Sequence, residues 1–164
     1  YHEETAMDNN TRGPAWITPP PLLYLLGVLV GIALNRLHPV PFIPGVPKRW
    51  RRALGVGLLA GGLVLAGAAV RTFREHGVNP DPRTPVPTLV TQGPYARTRN
   101  PIYLGFTLAS AGLACLANAG WCWPSLLGVL VVMQRGVIPR EERYLAQRFG
   151  QAYADYCARV PRWL

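Results

Sequence analysis

Acidic side chains are scarce in this sequence: 8 Asp and Glu face 17 Lys and Arg, and charged residues make up only 15% of the 164 positions. Cysteine and histidine are equally sparse, at three each. Cys115, Cys122 and Cys157 show no C-x-x-C spacing and lie in or beside different apolar segments, which argues against a disulfide framework or a zinc site. His2, His38 and His76 are too scattered for a cluster, so no metal is expected. No glycine-rich dinucleotide loop follows a strand. The net charge of +9 would suit nucleic acid if it formed a basic module. The arginines instead flank long apolar runs, so no nucleic acid is expected and the lipid bilayer with its anionic headgroups is the nearer partner.

What the sequence has in abundance is hydrophobic residues, 49% of the total, gathered into segments. Residues 1–19 form a polar, turn-rich tail. Residues 20–37 are apolar up to Asn35 and Arg36, a span at the short limit for crossing a bilayer. Residues 38–47 hold four prolines and cannot be helical throughout. The cluster Lys48, Arg49, Arg51 and Arg52 with Trp50 marks an interface before a second span, about 53–73. There Gly57 and Gly61 have the spacing that lets helices approach closely, as do Gly27 and Gly31 in the first.

A proline-rich loop of functional length covers 74–98. A third span follows at 101–118 and a fourth at 121–137. Their three-residue connection demands a tight antiparallel hairpin, with Trp121 and Trp123 in an aromatic belt. Pro139 opens a last, amphipathic helix with Leu145, Phe149, Ala152 and Tyr156 on one stripe, broken or bent at Gly150. The expected fold is therefore all-α: a membrane bundle of about four transmembrane helices with a C-terminal amphipathic interfacial helix. It divides into the tail 1–19, a two-span hairpin 20–73 acting as scaffold, and a core 74–164.

The hairpin brings the start of the third span to the end of the fourth. Asn100-Pro101 reads as an N-cap with proline at the first helical position, so Arg99 sits where a helix N-terminus favours anions. Arg99, Asn100 and Tyr103 would then approach Arg135, Arg140, Glu141 and Glu142. Such a site matches a zwitterionic cofactor with a cationic centre: carboxylates hold an ammonium or hydroxyls, and Arg99 holds a carboxylate. The simpler reading of Glu141 and Glu142 is that acids in a first turn complement the helix dipole. A non-enzymatic membrane scaffold or accessory protein is the competing reading of the whole chain. Eleven arginines flank the 74–98 loop and C-terminal side, against none at the 118–120 turn, which predicts that this face is cytoplasmic. The Lys48–Arg52 cluster disagrees.

Gly93-Pro94-Tyr95, Arg99-Asn100-Pro101-Ile102-Tyr103-Leu104-Gly105, Ile138-Pro139-Arg140-Glu141-Glu142, Phe149-Gly150-x-x-Tyr153-x-x-Tyr156 and Val160-Pro161-Arg162 together resemble the isoprenylcysteine carboxyl methyltransferase and phospholipid methyltransferase superfamily over about residues 71–164. The resemblance implies an integral membrane enzyme that binds S-adenosylmethionine without a Rossmann domain and methylates a lipophilic acceptor, a prenylcysteine-type carboxylate or a phospholipid-type amine. It further implies that Gly93, Tyr95, Arg99, Asn100, Pro101, Tyr103 and Gly105 line the cofactor pocket, that Glu141 and Glu142 close it, and that Arg99, Glu141 and Glu142 are the catalytic set. Many relatives carry histidine where Asn100 stands, and asparagine cannot take a proton at neutral pH.

Overall fold

A computed structural model describes residues 19–79 and 84–164; residues 1–18 of the tail and 80–83 of the proline-rich loop lie outside it. The described elements are helical: α1 (Pro20–Leu37), α2 (Lys48–Glu75), α3 (Pro101–Ala117), α4 (Cys122–Phe149) and α5 (Gln151–Arg159), with a short 3₁₀ turn at Gly93–Ala96. Helices α1, α2 and α4 are long and apolar enough to cross a membrane. The third expected span, α3, is apolar but has only 17 residues, eight of them buried.

Contacts between the helices set their directions. Gly62 of α2 lies on Gly105 and Ala109 of α3, while Gly55 lies on Leu116, so α2 and α3 are antiparallel. Gly31 of α1 lies on Cys122 of α4 and Gly27 on Val129, again antiparallel. The Tyr24 and Thr107 hydroxyls meet at 3.1 Å, and Asn35 Nδ2 donates to the Asn118 carbonyl at 3.4 Å; α1 and α3 therefore run the same way. One end of this up-down bundle gathers the start of α1, the end of α2, the start of α3 and the later turns of α4. Although α3 and α4 are joined by a short turn, α3 packs chiefly on α2 and α4 on α1. Large apolar side chains cover the outside, with Leu26 58% and Val64 71% exposed, an arrangement suited to lipid and unsuited to water.

Three sequence expectations are corrected. The Gly57 and Gly61 pair does not pack: a methyl group added to either meets nothing within 4 Å. The close approach runs through Gly62 and Gly105 instead, where an added Cβ would come within 2.5 and 2.6 Å of the opposite carbonyl. The second helix starts earlier than the expected 53: α2 already begins at Lys48 and takes the basic cluster into its first turns. Arg51 is buried there and donates from Nη1 to the Cys115 carbonyl and, at 3.0 Å, to the Leu116 carbonyl. It thus satisfies the C-terminal carbonyls that a helix leaves unpaired.

Pro139 does not open a new helix. A π turn at Met133–Val137, with the Ile138 N–H bonded to the Met133 carbonyl, carries α4 through the proline that cannot donate. The amphipathic stripe is broken at Gly150 as expected, where a φ of +51° ends α4 before α5 begins. At the end of the bundle away from that region, Trp121 Nε1 and Trp123 Nε1 donate to the carbonyls of His38 and Phe42 at 2.8 and 3.1 Å. The proline-rich 38–47 segment is thereby tied to the α3–α4 turn.

Candidate functional site

The site grows from the loop before α3. Gly93 has φ +59°, and an added Cβ would lie 2.9 Å from Thr72 Oγ1, so the chain enters the 3₁₀ turn against the end of α2. Tyr95 then inserts and stacks on Phe73 at 4.6 Å, with 8° between the ring planes. The Tyr156 hydroxyl of α5 donates to the Tyr95 carbonyl at 2.8 Å.

Asn100 occupies the cap position of α3, but its side chain does not cap the helix. Its Nδ2 donates to the Arg162 carbonyl at 2.9 Å, and Thr98 Oγ1 donates to the same carbonyl at 3.1 Å. The Arg99 N–H donates to the Pro161 carbonyl at 3.0 Å. The C-terminal segment is thus stitched along the loop, and the amide N–H₂ of Asn100 serves that stitching.

The two adjacent glutamates do different work, since successive helical residues point about 100° apart. Glu141 accepts a hydrogen bond from the Tyr103 hydroxyl at 2.6 Å. Glu142 faces two guanidiniums: Arg99 Nη1 is 3.0 Å from one oxygen, Arg162 Nε is also 3.0 Å from that oxygen, and Arg162 Nη2 is 2.5 Å from the other. Arg99 Nη1 further donates to Cys157 Sγ at 2.8 Å. Burial works against the charge on Arg99, yet the Glu142 carboxylate, with Cys157 and Tyr153, outweighs it and holds the guanidinium above its ordinary range.

Beside these groups lies a cavity of about 570 Å³, within the span of about 300–1,000 Å³ usual for small-molecule sites. Tyr95, Arg99, Asn100, Pro101, Tyr103 and Glu141 line it. Gly93, Gly105 and Glu142 do not: Gly105 makes room for α2, and Glu142 acts from behind through Arg99. Arg135 and Arg140, expected nearby, stand apart. Arg140 is exposed, and Arg135 borders an outer groove beside Trp163.

Tyr95 Oη and Arg99 Nε are buried without any hydrogen-bond partner. Burial, reinforced by Glu141 and Tyr156, pushes the Tyr95 phenol far above its usual range, so it remains a donor. Leaving such donors unmade costs about 1–3 kcal/mol each, and both belong to residues on the cavity wall.

The family model described as phospholipid methyltransferase matches residues 50–152. This chain belongs to that family. Protein-S-isoprenylcysteine O-methyltransferase B of Arabidopsis thaliana is 32% identical over 145 residues, covering 84% of this chain and 71% of the relative. The cobalt-zinc-cadmium resistance protein CzcN of Cupriavidus metallidurans is 35% identical over 74 residues, 45% of this chain and 34% of that protein. The protein is accordingly a membrane methyltransferase and uses a methyl donor.

Several residues that line the cavity were not singled out by sequence reasoning. Its apolar wall comes from Pro19–Pro21 at the start of α1 and from Val70 and Phe73 at the end of α2, so the first two helices contribute to the cavity as well as supporting it. These residues carry no local signal; only the antiparallel packing brings them there. Tyr153 and Tyr156 also line it, and the Phe-Gly-x-x-Tyr-x-x-Tyr spacing was the trace they left. Burial pushes the Tyr156 phenol up to about 12.

Proposed function

We propose that this membrane methyltransferase takes its methyl group from S-adenosylmethionine and delivers it to a carboxylate on a lipophilic, prenyl-thioether type of acceptor, at a site facing the cytoplasm. The observation that carries the reading is the mixed lining of the cavity. It combines Arg99, Tyr95 and Glu141, with two unmatched buried donors, and apolar residues from three membrane helices. The donor set suits the cofactor, whose amino-acid carboxylate, ammonium and hydroxyl groups need a cation, an acceptor and hydrogen-bond donors. Arg99 would hold the carboxylate, Glu141 the ammonium or a hydroxyl, and Tyr95 would donate to an oxygen.

When bound, S-adenosylmethionine supplies an electrophilic methyl on a positively charged sulfur, open to in-line displacement. The chain's contribution is alignment and exclusion of water. Pro20, Val70, Phe73, Ile102 and Phe106 present apolar surface that accepts a lipid tail and keeps water away. A carboxylate acceptor attacks through its own oxygen lone pair and gives a neutral ester, so no protein base is consumed. Tyr103 hydrogen-bonds Glu141, fixing that carboxylate on the wall. The relative that acts on isoprenylcysteine supports this choice of acceptor. The phospholipid methyltransferase family description supports a second reading, an amine headgroup, for which Glu141 would have to accept a proton. The excess of arginines at the cavity end supports the cytoplasmic orientation.

Purified protein should bind S-adenosylhomocysteine in calorimetry, and Arg99→Ala should abolish that binding. Reconstituted protein supplied with methyl-labelled donor should label a farnesylcysteine derivative rather than phosphatidylethanolamine. Labelling of the amine lipid alone would establish the second reading, and binding unchanged by Arg99→Ala would refute the site.

A further inference from the structure

The C-terminal segment reaches the site in two independent ways. Its main chain is anchored through the Pro161 and Arg162 carbonyls to Arg99, Thr98 and Asn100. The Arg162 side chain makes a separate contact, two hydrogen bonds to Glu142. Glu142 is thereby divided: Arg99 holds one oxygen from one side, and Arg162 spans both from the other. Two guanidiniums and one carboxylate leave one net positive charge. The side chains of Arg99 and Glu142 are only 17% and 19% exposed, so water screens that charge weakly. Arg162 does not line the cavity, whereas Arg99 does, and Arg99 Nε remains without a partner.

We propose that Arg162 is a positioning residue for Arg99: by sharing Glu142 it keeps the Arg99 guanidinium from being fully neutralised and leaves charge and a free donor for the carboxylate of the methyl donor. This rests on the reading of that donor as S-adenosylmethionine. Without Arg162, Glu142 has one cationic partner and draws Arg99 into a closed one-to-one pair. The main-chain stitching survives such a change, because it uses carbonyls and not the Arg162 side chain. Substitution at this position therefore separates charge sharing from anchoring of the tail.

The test compares binding of S-adenosylmethionine with that of its decarboxylated analogue, which lacks only the carboxylate, to detergent-purified full-length protein without acceptor. In Arg162→Met the affinity for S-adenosylmethionine should fall about tenfold, the scale of one partly screened charge interaction, while affinity for the decarboxylated analogue stays within about twofold. Arg162→Lys, which restores a cation opposite Glu142, should recover most of the loss. Equal weakening of both ligands in Arg162→Met would overturn the proposal in favour of a structural role, as would unchanged binding of both. Failure of the unsubstituted protein to bind either ligand would instead remove the donor reading, and this proposal with it.

Discussion

Helix α3 has an asparagine and an arginine at each end, yet the two ends are finished differently. At the end away from the cavity, Asn118 accepts from the Phe42 N–H at 3.2 Å and Arg51 spends its guanidinium on the last carbonyls of the helix. Two indole N–H groups are also bonded there. At the cavity end, Arg99 is held by Glu142 but keeps an unpartnered Nε, and Tyr95 keeps an unpartnered hydroxyl. Similar residue types thus give a closed joint at one end and an open one at the other. The difference lies in the partner: Arg51 meets carbonyls that it satisfies, whereas Arg99 meets a carboxylate already shared with Arg162. Unmet donors beside a cavity are what distinguish the end proposed as the site from the closed one.

The most drastic way to break this contrast is to separate α2 from α3, since both ends depend on that contact. A Cβ on Gly62 would sit 2.5 Å from the Gly105 carbonyl oxygen, and backbone cannot yield as a side chain can. Gly62→Val should cost more than the roughly 1–3 kcal/mol of ordinary overpacking and yield protein that is not monodisperse in detergent. Gly61→Val, pointing into open space, should behave as the parent in the same size-exclusion profile. Equal behaviour of the two would mean that the helices do not cross where the glycines say they do.

The two arginines then sharpen the contrast. Arg99→Met should lower S-adenosylhomocysteine affinity about a hundredfold, the loss of a charge-assisted contact to an anion, with a smaller effect on the thermal midpoint because Glu142 keeps Arg162. Arg51→Met should do the reverse. Buried carbonyls at the end of α3 lose their donor, so stability should fall by about 2 kcal/mol while affinity stays unchanged. Thermal unfolding and calorimetry on the same preparations check both. If the two variants lost binding alike, the ends would not be functionally distinct.

Much of this was legible in the sequence, and what was not has identifiable physical causes. The apolar run of α1 and the Asn-Pro start of α3 gave those boundaries directly, because length and missing N–H groups are local properties. The meeting of Arg99 with Glu142 and of Tyr103 with Glu141 was legible from chain geometry, since a three-residue turn must return the chain to the same end of the bundle. The start of α2 was not, as the partners of Arg51 lie 64 and 65 residues away. Nor was the choice of Gly62 over Gly61, since spacing says that small residues share a face and only packing says which face turns inward. The different duties of Glu141 and Glu142 were likewise hidden, one being set by Tyr103 and the other by Arg162, contacts separated by 38 and 20 positions.

The smallest expected effect concerns Asn118. It has φ +55°, a conformation that L side chains adopt with some strain and glycine adopts freely. Its Oδ1 accepts from the Phe42 N–H, while its carbonyl accepts from Asn35. Asn118→Gly removes the first bond, worth about 1 kcal/mol, and keeps the second because that one uses the main chain. It also relieves the left-handed strain, worth a similar amount. The two terms oppose, so the thermal midpoint should change by no more than the equivalent of about 0.5 kcal/mol, and methyl-donor affinity should not change. Asn118→Val loses the same bond and adds a β-branched side chain at positive φ, so both terms destabilise. A clear gap between Gly and Val at this position would show that backbone conformation, and not the asparagine amide, is the main requirement at the closed end of α3.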